Sequence, residues 1–423
     1  EAHYNLGNTL KALGRLEDAE ASCREAIALK PGFAKAHNNL GNVLQDLGQL
    51  EEAAESYRQA IALKPDFAEA HSNLGIVLKD FGQLEEAEAS HGQAITLKPE
   101  YAGAHSNLGN VLHDLGRLEE AEASYRQAIA LKPDFAQTYS NLGITLEELG
   151  RLDEAEASFK QAIALRPEYA EAHGHLSKVL YIKGYKDFAL KSIEKANHFD
   201  PKSKEIRLLL SIMKSRKSRK GSEEMICDTN NPVALTRLTS SPLILSRKVE
   251  SELISHIYGM SGMELDRTKR YGLLPAGKTD ARYGYGRCSA DFNLFEDTHS
   301  AIRKLTEDLT KIMMEAVKSD IYIDDSFFNI LHAGGGSTPH MHLNKLDKNI
   351  KLNLGQKKYS LVYYLAAGDQ NSNEPGVLKL YSPDEDILPC EGMIVIIPAG
   401  RMHSSIYGGK TDRVMVGVNF YAL

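Results

Sequence analysis

The sequence predicts a two-part chain: an all-α repeat superhelix, then an α+β domain with a jelly-roll (double-stranded β-helix) core. Three observations predict it. Self-similarity recurs every 34 residues as far as about residue 214. After Pro232 the pattern changes to short β-type runs broken by Gly, Pro, Asn and Asp, and two histidine-bearing stretches fall at the ends of such runs. The expected boundaries are 1–214 for six repeats and a capping helix, 215–232 for a linker and 233–423 for the second domain.

Composition allows this and narrows function. A length of 423 residues suits two or three domains. The net charge of −7 is uneven: the first 200 residues carry 20 Lys and Arg against 31 Asp and Glu, and the remaining 223 carry 30 against 26. An acidic array lacks the basic stripe that phosphate binding needs, so nucleic acid is not expected as a partner. The basic run at 214–220 reads as a solvated face. Cys23, Cys227, Cys288 and Cys390 are scattered without a C-x-x-C pair, which suits a reducing compartment and gives no zinc signature. No apolar run reaches the roughly 18–20 residues that span a bilayer, and no signal peptide is visible. The expectation is therefore cytoplasmic, with no membrane partner. The pattern is already under way at Glu1, which leaves room for further repeats before it.

The repeats come first. Asn-Leu-Gly recurs from Asn5, Asn39, Asn73, Asn107 and Asn141, and prolines from Pro31 to Pro201 and alanines from Ala19 to Ala189 keep the same period. Within 103–136, Leu108, Val111, Leu112 and Leu115 form one apolar helical stripe. Gly116 then breaks the helix, Glu119 and Glu120 favour the next N-terminus, and Ala121, Tyr125, Ala128 and Ile129 form a second stripe that Pro133 stops. One such hairpin cannot bury its own stripe, so the units stack and leave a groove. The pattern resembles the tetratricopeptide repeat, nearly complete over five units and looser in a sixth, where Ser177 replaces the glycine. His3, His37, His71, His105 and His173 fall one per unit, with His91 and His113 beside the pattern. They read as packing residues rather than a metal site.

The five asparagines Asn5, Asn39, Asn73, Asn107 and Asn141 lie on the first helix of each hairpin. Here the resemblance is closest to the repeats of O-linked N-acetylglucosamine transferase. It implies that this helix lines a concave face and that the asparagines hold the backbone of an extended protein or peptide. A primary amide suits the task, because it offers donors and an acceptor to any peptide group. Hairpins pack about 10 Å apart and extended chain advances about 3.3 Å per residue, so one amide meets roughly every third residue. The plainer alternative is that each amide satisfies local groups. His175 ends the ladder in the sixth unit.

After Pro232, helices are expected at about 246–259 and 297–318, the second with Ile302, Leu305, Leu309, Ile312 and Met313 on one face. Short runs at 327–332, 359–365, 377–382, 393–398 and 413–421 indicate an antiparallel sandwich or jelly roll. His340 and His342 are two apart in extended chain and share a side. A three-residue loop at Gly408-Gly409-Lys410 would pair 405 with 413 in a hairpin. That register puts Arg413, Met415, Gly417 and Asn419 on the face of His403, and Val414, Val416, Val418 and Phe420 on the other.

The His-x-His element, the strand at 360–365, Gly-x-Leu-x-Leu at 376–380, Pro398…His403 and Arg413 together resemble the Fe(II)/2-oxoglutarate-dependent oxygenases, near the prolyl-hydroxylase-like branch, over roughly 325–423. The resemblance implies that His340 and His403 bind Fe(II) and that Arg413 anchors the far carboxylate of 2-oxoglutarate, a bidentate match. That family's His-x-Asp/Glu is His-x-His here. Three ligand sets stay open: His340, His342 and His403; Asp347 swinging in as the third ligand; or His342 as first ligand with Asn344 as a degenerate second. Asn329, Tyr363 and Asn419 are candidates to touch the cosubstrate, and Arg282, Tyr283, Tyr285, Arg287 and Asn293 to cover the mouth. The combined expectation is a hydroxylase that couples oxidative decarboxylation of 2-oxoglutarate to hydroxylation of a polypeptide held in the groove. One alternative is an interaction scaffold with a non-catalytic cupin-like C-terminal domain. Another is a small-molecule oxygenase that uses the repeats only for assembly.

Overall fold

The computed structural model describes residues 1–218, 242–264, 282–283, 286–289, 291–332, 335–344, 346–349, 352–369, 377–407 and 409–423. They form two compact units, Glu1–Lys202 and Ser203–Leu423. Most of the segment read as a linker lies outside the described residues.

The first unit is six hairpins: α1 (Ala2–Ala12) with α2 (Leu16–Leu29), α3 (Ala34–Asp46) with α4 (Leu50–Leu63), α5 (Ala68–Asp80) with α6 (Leu84–Leu97), α7 (Ala102–Asp114) with α8 (Leu118–Leu131), α9 (Ala136–Glu148) with α10 (Leu152–Leu165), and α11 (Ala170–Ile182) with α12 (Lys186–Phe199). Each first helix ends at a left-handed glycine. At Gly48, φ is 76°, its N–H donates to the Gln45 carbonyl, and the Gln49 N–H donates to Leu44, which closes the helix. Glu51 and Glu52 then face the exposed N–H groups of α4. The repeat histidines tie each hairpin to the turn before it. His37, His71, His105 and His173 bond the carbonyls of Pro31, Pro65, Pro99 and Pro167 at 2.9–3.0 Å, the packing role expected of them.

The two helices of a hairpin meet where a glycine faces a ring. A methyl group on Gly41 would stand 2.6 Å from Tyr57, on Gly75 2.7 Å from His91, on Gly109 2.5 Å from Tyr125 and on Gly143 2.6 Å from Phe159. The residue after the glycine follows the ring. Asn42 and Asn110 accept from the Tyr57 and Tyr125 hydroxyls at 2.8 and 2.9 Å. Isoleucine, Ile76 or Ile144, stands there when the ring is His91 or Phe159 and has no hydroxyl to satisfy. His91 is fully buried and neither ring nitrogen has a hydrogen-bond partner, so burial pushes its pKa down to about 4.

The second unit opens with α13 (Lys204–Ser218), the segment expected to cap the array. The Lys204 carbonyl accepts from the Tyr322 hydroxyl at 3.1 Å and the Lys204 ammonium donates to Asn293 at 3.0 Å, and the compact units divide ahead of this helix. Then follow β1 (Leu243–Ser246), α14 (Ser251–Gly259), β2 (Met263–Glu264), β3 (Arg282–Tyr283), β4 (Gly286–Cys288), α15 (Ser300–Val317), β5 (Ile321–Leu331), β6 (Gly336–His340), β7 (Lys358–Ala366), β8 (Leu378–Leu380), β9 (Glu385–Ile387), β10 (Met393–Pro398), β11 (His403–Ile406) and β12 (Arg413–Ala422). Two antiparallel sheets result, ordered β1-β10-β7-β12-β5-β4-β2 and β3-β6-β11-β8-β9. On one face of the larger sheet, Val414, Val416, Val418, Phe420, Leu361 and Tyr363 pack with Leu253, Ile257, Ile302, Leu305 and Leu309 of the helices. On the other, Leu331, Tyr364, Val395, Ile397 and Met415 share a core with Leu378, Leu380 and Ile387 of the smaller sheet.

Three expectations are corrected. The helix expected from 246 begins at Ser251, because 243–246 pairs with β10 as an edge strand. The strand β5 begins at Ile321 rather than 327; Asp324 and Asp325 disguise its start, and Asp325 is paired internally with Asn419. The predicted hairpin does not form: Arg413 pairs with Leu331, while β11 pairs with β6 and β8. Asp369 is the reason. Its carboxylate accepts the Lys410 and Thr411 N–H groups at 2.6 and 3.0 Å and the Tyr407 hydroxyl at 3.2 Å, so the segment crosses between sheets instead of turning back. The faces assigned along β12 hold regardless, since parity within a strand does not depend on the turn before it.

His91 gives the array an acid sensitivity. An unfolded histidine titrates near 6.5, so between pH 6.5 and about 4 the unfolded chain binds a proton that the folded one refuses. Stability from this site is complete above about 6.5 and falls by roughly 3 kcal/mol as pH drops to about 4. Urea unfolding followed by circular dichroism across that range should show the slope in the wild type and a flatter one in His91→Phe, the ring that the fifth unit already uses.

Candidate functional site

In the second unit a polar cluster forms between the sheets. Across β12, Asn419 is flanked by Ser360 on β7 and Asp325 on β5. Its Oδ1 accepts from the Ser360 hydroxyl at 2.8 Å and its Nδ2 donates to Asp325 at 2.7 Å, which fixes the amide orientation. Nδ2 is also 3.4 Å from His342 Nδ1. The His342 main-chain N–H donates to the Ala399 carbonyl at 2.8 Å, and this brings His342 Nε2 to 3.2 Å from His403 Nε2. His403 Nδ1 lies 3.1 Å from the Arg401 carbonyl, so it carries the proton and leaves a lone pair on Nε2.

Arg413 is fully buried. Its Nε donates to the Ala367 carbonyl at 3.1 Å, and the guanidinium lies over the rings of Tyr407 at 4.6 Å and Tyr364 at 5.8 Å. Burial lowers its pKa, yet an arginine starts so high that it stays charged.

The histidines fit a metal ion in part. Two nitrogens each about 2.1 Å from one ion at a near right angle stand about 3 Å apart, and the His342–His403 separation of 3.2 Å matches. His403 is already in the tautomer a metal needs. His342 reaches it by moving its proton from Nε2 to Nδ1, which exchanges the hydrogen bond to His403 and the long contact with Asn419 for a free lone pair on Nε2. The backbone of His340 lies opposite His403, and its side chain is outside the described residues. Asp347 is not available as a swinging ligand. It accepts from the Asn344 N–H at 2.8 Å, the Lys358 ammonium at 3.0 Å and the Tyr421 hydroxyl at 2.6 Å. The Asn344 side chain caps the same turn by accepting the Asp347 N–H at 2.9 Å. Among the described residues no three His, Cys, Asp or Glu side chains form a metal-holding group.

The other candidates divide. Asn329 is buried and pairs with Met415, on the face toward the smaller sheet. Tyr363 faces the helices instead; its hydroxyl donates to the Lys248 carbonyl at 3.2 Å and accepts from Arg247 at 3.1 Å. Arg287 is spent on the Met260 and Tyr258 carbonyls, and Asn293 on Lys204. The side chains of Arg282 and Tyr283 and all of Tyr285 lie outside the described residues. Sequence reasoning missed Asp325, Ser360, Tyr364 and Tyr407. Shifting the parity of β7 by one residue would have found the first tyrosine.

In the first unit the asparagines form a stitch between neighbours. Asn39 donates to Asn8, Asn73 to Asn38 and Asn42 at 3.1 and 3.0 Å, and Asn141 to Asn110 at 2.7 Å. The position that would accept from Asn107 is Ile76, and the half-buried Asn107 amide has no hydrogen-bond partner among the described residues. Asn5 is exposed at the start of the series. No helix among the described residues is long and apolar enough to cross a membrane.

A family model described as the Cilia and flagella-associated protein 70 C-terminal domain matches residues 1–223. No curated protein matches the chain. Among solved structures, the chain is similar to the APC/C hetero-tetramer Cut9-Hcn1 at 18% identity and TM-score 0.47, covering 50% of this chain and 42% of that one. It is similar to YrrB, a TPR protein with an unusual peptide-binding site, at 25% identity and TM-score 0.38, over 45% and 97% of the two chains. A thermophilic TPR protein of Thermus thermophilus matches at 28% identity and TM-score 0.37, over 43% and 98%.

The stitch separates two kinds of asparagine. Asn73→Ala should lower the urea midpoint by an amount equal to about 1 kcal/mol, because it removes the donor to Asn38 and one of the two donors to Asn42. Asn107→Ala should leave the midpoint within experimental error.

Proposed function

We propose that this chain, which belongs to the family of the Cilia and flagella-associated protein 70 C-terminal domain, is a protein-interaction scaffold whose tetratricopeptide array takes an extended polypeptide along its asparagine-bearing face. Asn107 carries the reading. The amides of its neighbours are engaged with one another, whereas this one keeps donors and an acceptor for a peptide group. The ladder expected from the sequence is thereby reduced to a central clamp, with Asn5, Asn39, Asn73 and Asn141 shaping the groove around it. Peptide display on the full chain, followed by calorimetric titration of an enriched peptide, tests this. Asn107→Ala should weaken binding about tenfold, the worth of one well-made hydrogen bond. Enriched peptides that bind this variant as well as the wild type would remove the clamp.

A second reading is favoured by the converging His342 and His403 nitrogens and the buried Arg413. It takes the second unit as a jelly-roll Fe(II)- and 2-oxoglutarate-dependent hydroxylase acting on the captured polypeptide. His403 and His342 would hold the iron, His340 is the candidate third ligand, and Arg413 would take the far carboxylate of 2-oxoglutarate. With dioxygen as the oxidant, iron bound there would couple the conversion of 2-oxoglutarate to succinate and CO2 to the oxidation of a C–H bond to an alcohol. The Arg401 carbonyl keeps the His403 proton on Nδ1, Asn419 orients His342, and Tyr364 and Tyr407 shield the guanidinium from water. Anaerobic titration with Co(II) should give visible absorption that His403→Ala abolishes, and 2-oxoglutarate binding should be lost in Arg413→Lys with the fold intact by circular dichroism. No absorption in a folded wild type would leave the scaffold reading alone.

A further inference from the structure

Besides His175 and Ser177, the sixth hairpin departs from the repeat along its second helix. Where the first, fourth and fifth units set an ion pair at the start of the second helix (Arg15–Asp18, Arg117–Glu120 and Arg151–Glu154, each at 2.6 Å), the sixth sets Tyr185 and Phe188. Both aromatics are exposed, at 51% and 65%. Two further positions on the same helix change sign of character: Ala157 and Gln161 of the fifth unit become Lys191 and Lys195.

These changes line one cavity of about 580 Å³ between α10 and α12. Leu176 and Leu180 of α11 and Ile163 of α10 supply its apolar floor, and Phe188 is an apolar wall. Lys160, Lys183, Lys191 and Lys195 stand around it against a single carboxylate, Glu156. Lys160 and Lys183 already hold that carboxylate at 2.6 and 2.5 Å. Lys191 and Lys195 form no ion pair among the described residues, and Lys191 lies 5.9 Å from the Phe188 ring. In an array whose balance is strongly acidic, this is a local reversal of charge around an apolar hollow large enough for several side chains.

We propose that this cavity is a second docking surface, for an acidic partner segment that inserts a bulky apolar side chain against Phe188 and sets carboxylates on Lys191 and Lys195. It is built on α10, α11 and α12, apart from the asparagines of the earlier first helices, and does not depend on the peptide clamp. The complementary charge chooses the occupant, because a basic or neutral segment would leave the two ammonium groups unpaired.

Fluorescence anisotropy on the full chain tests it with three labelled synthetic peptides. One is rich in Asp and Glu with Leu and Phe at i, i+3 and i+4 spacing, one has its acids replaced by Lys, and one has Leu and Phe replaced by Ser. The acidic amphipathic peptide should bind, at least tenfold more tightly than either control and more weakly as salt rises. Phe188→Glu, which restores the residue type found in the fifth unit at an exposed position, should weaken binding at least tenfold, and so should Lys191→Glu with Lys195→Glu. Equal binding of the Lys peptide, no binding of the acidic one, or an unchanged affinity in Phe188→Glu would overturn the proposal. So would sedimentation showing self-association of the wild type that Phe188→Glu abolishes, since the occupant would then be a second copy of the chain.

Discussion

Both units rest on glycine standing where a ring must come close. In the array, Gly41, Gly75, Gly109 and Gly143 let Tyr57, His91, Tyr125 and Phe159 lie directly on the facing helix, at distances no side chain would allow. The helices of these four hairpins are therefore locked by shape. In the larger sheet, Gly417 plays the same part under the ring of Phe327. This fills the inner face between Met415 and Asn419 without crowding, so the polar cluster at Asn419 sits beside close-packed core rather than beside a void.

The array was legible almost residue by residue, because a repeated sequence reports its own constraints. The glycine breakers, the prolines and the alanines each mark one physical requirement of a hairpin, and five or six copies separate requirement from accident. The asparagines show the limit of that legibility. Their period revealed a shared role, but a period cannot distinguish an amide turned toward a ligand from one turned toward the previous unit. The distinction lay in a second column, where Asn8, Asn42 and Asn110 accept and Ile76 cannot. Repeats are read best where they fail to repeat.

The second unit was legible at the level of runs and faces and opaque at the level of connections. Val414, Val416, Val418 and Phe420 alternate against the helices as their spacing predicts. Which strand lies beside which depended on Asp369, some forty residues before the N–H groups it holds, and no local turn rule reports such a bond. Tyr363 hides Tyr364 for the same reason: in a run of consecutive apolar residues, parity is set by partners far away. The short strands β1 and β9 escaped notice because three or four residues carry too little alternation to register.

The isoleucine at 76 has one more consequence, mechanical rather than chemical. Neighbouring units on either side are sewn by amides, through Asn73 to Asn42 and through Asn141 to Asn110. Between the third and fourth units the ties are ion pairs near the surface: Lys79 with Asp114 at 2.9 Å and Arg117 with Glu88 at 2.7 Å. Bonds of that kind yield to dissolved salt, while the amide stitches do not. The array thus has at its middle a junction held by charge, whose stiffness follows the ionic strength around it.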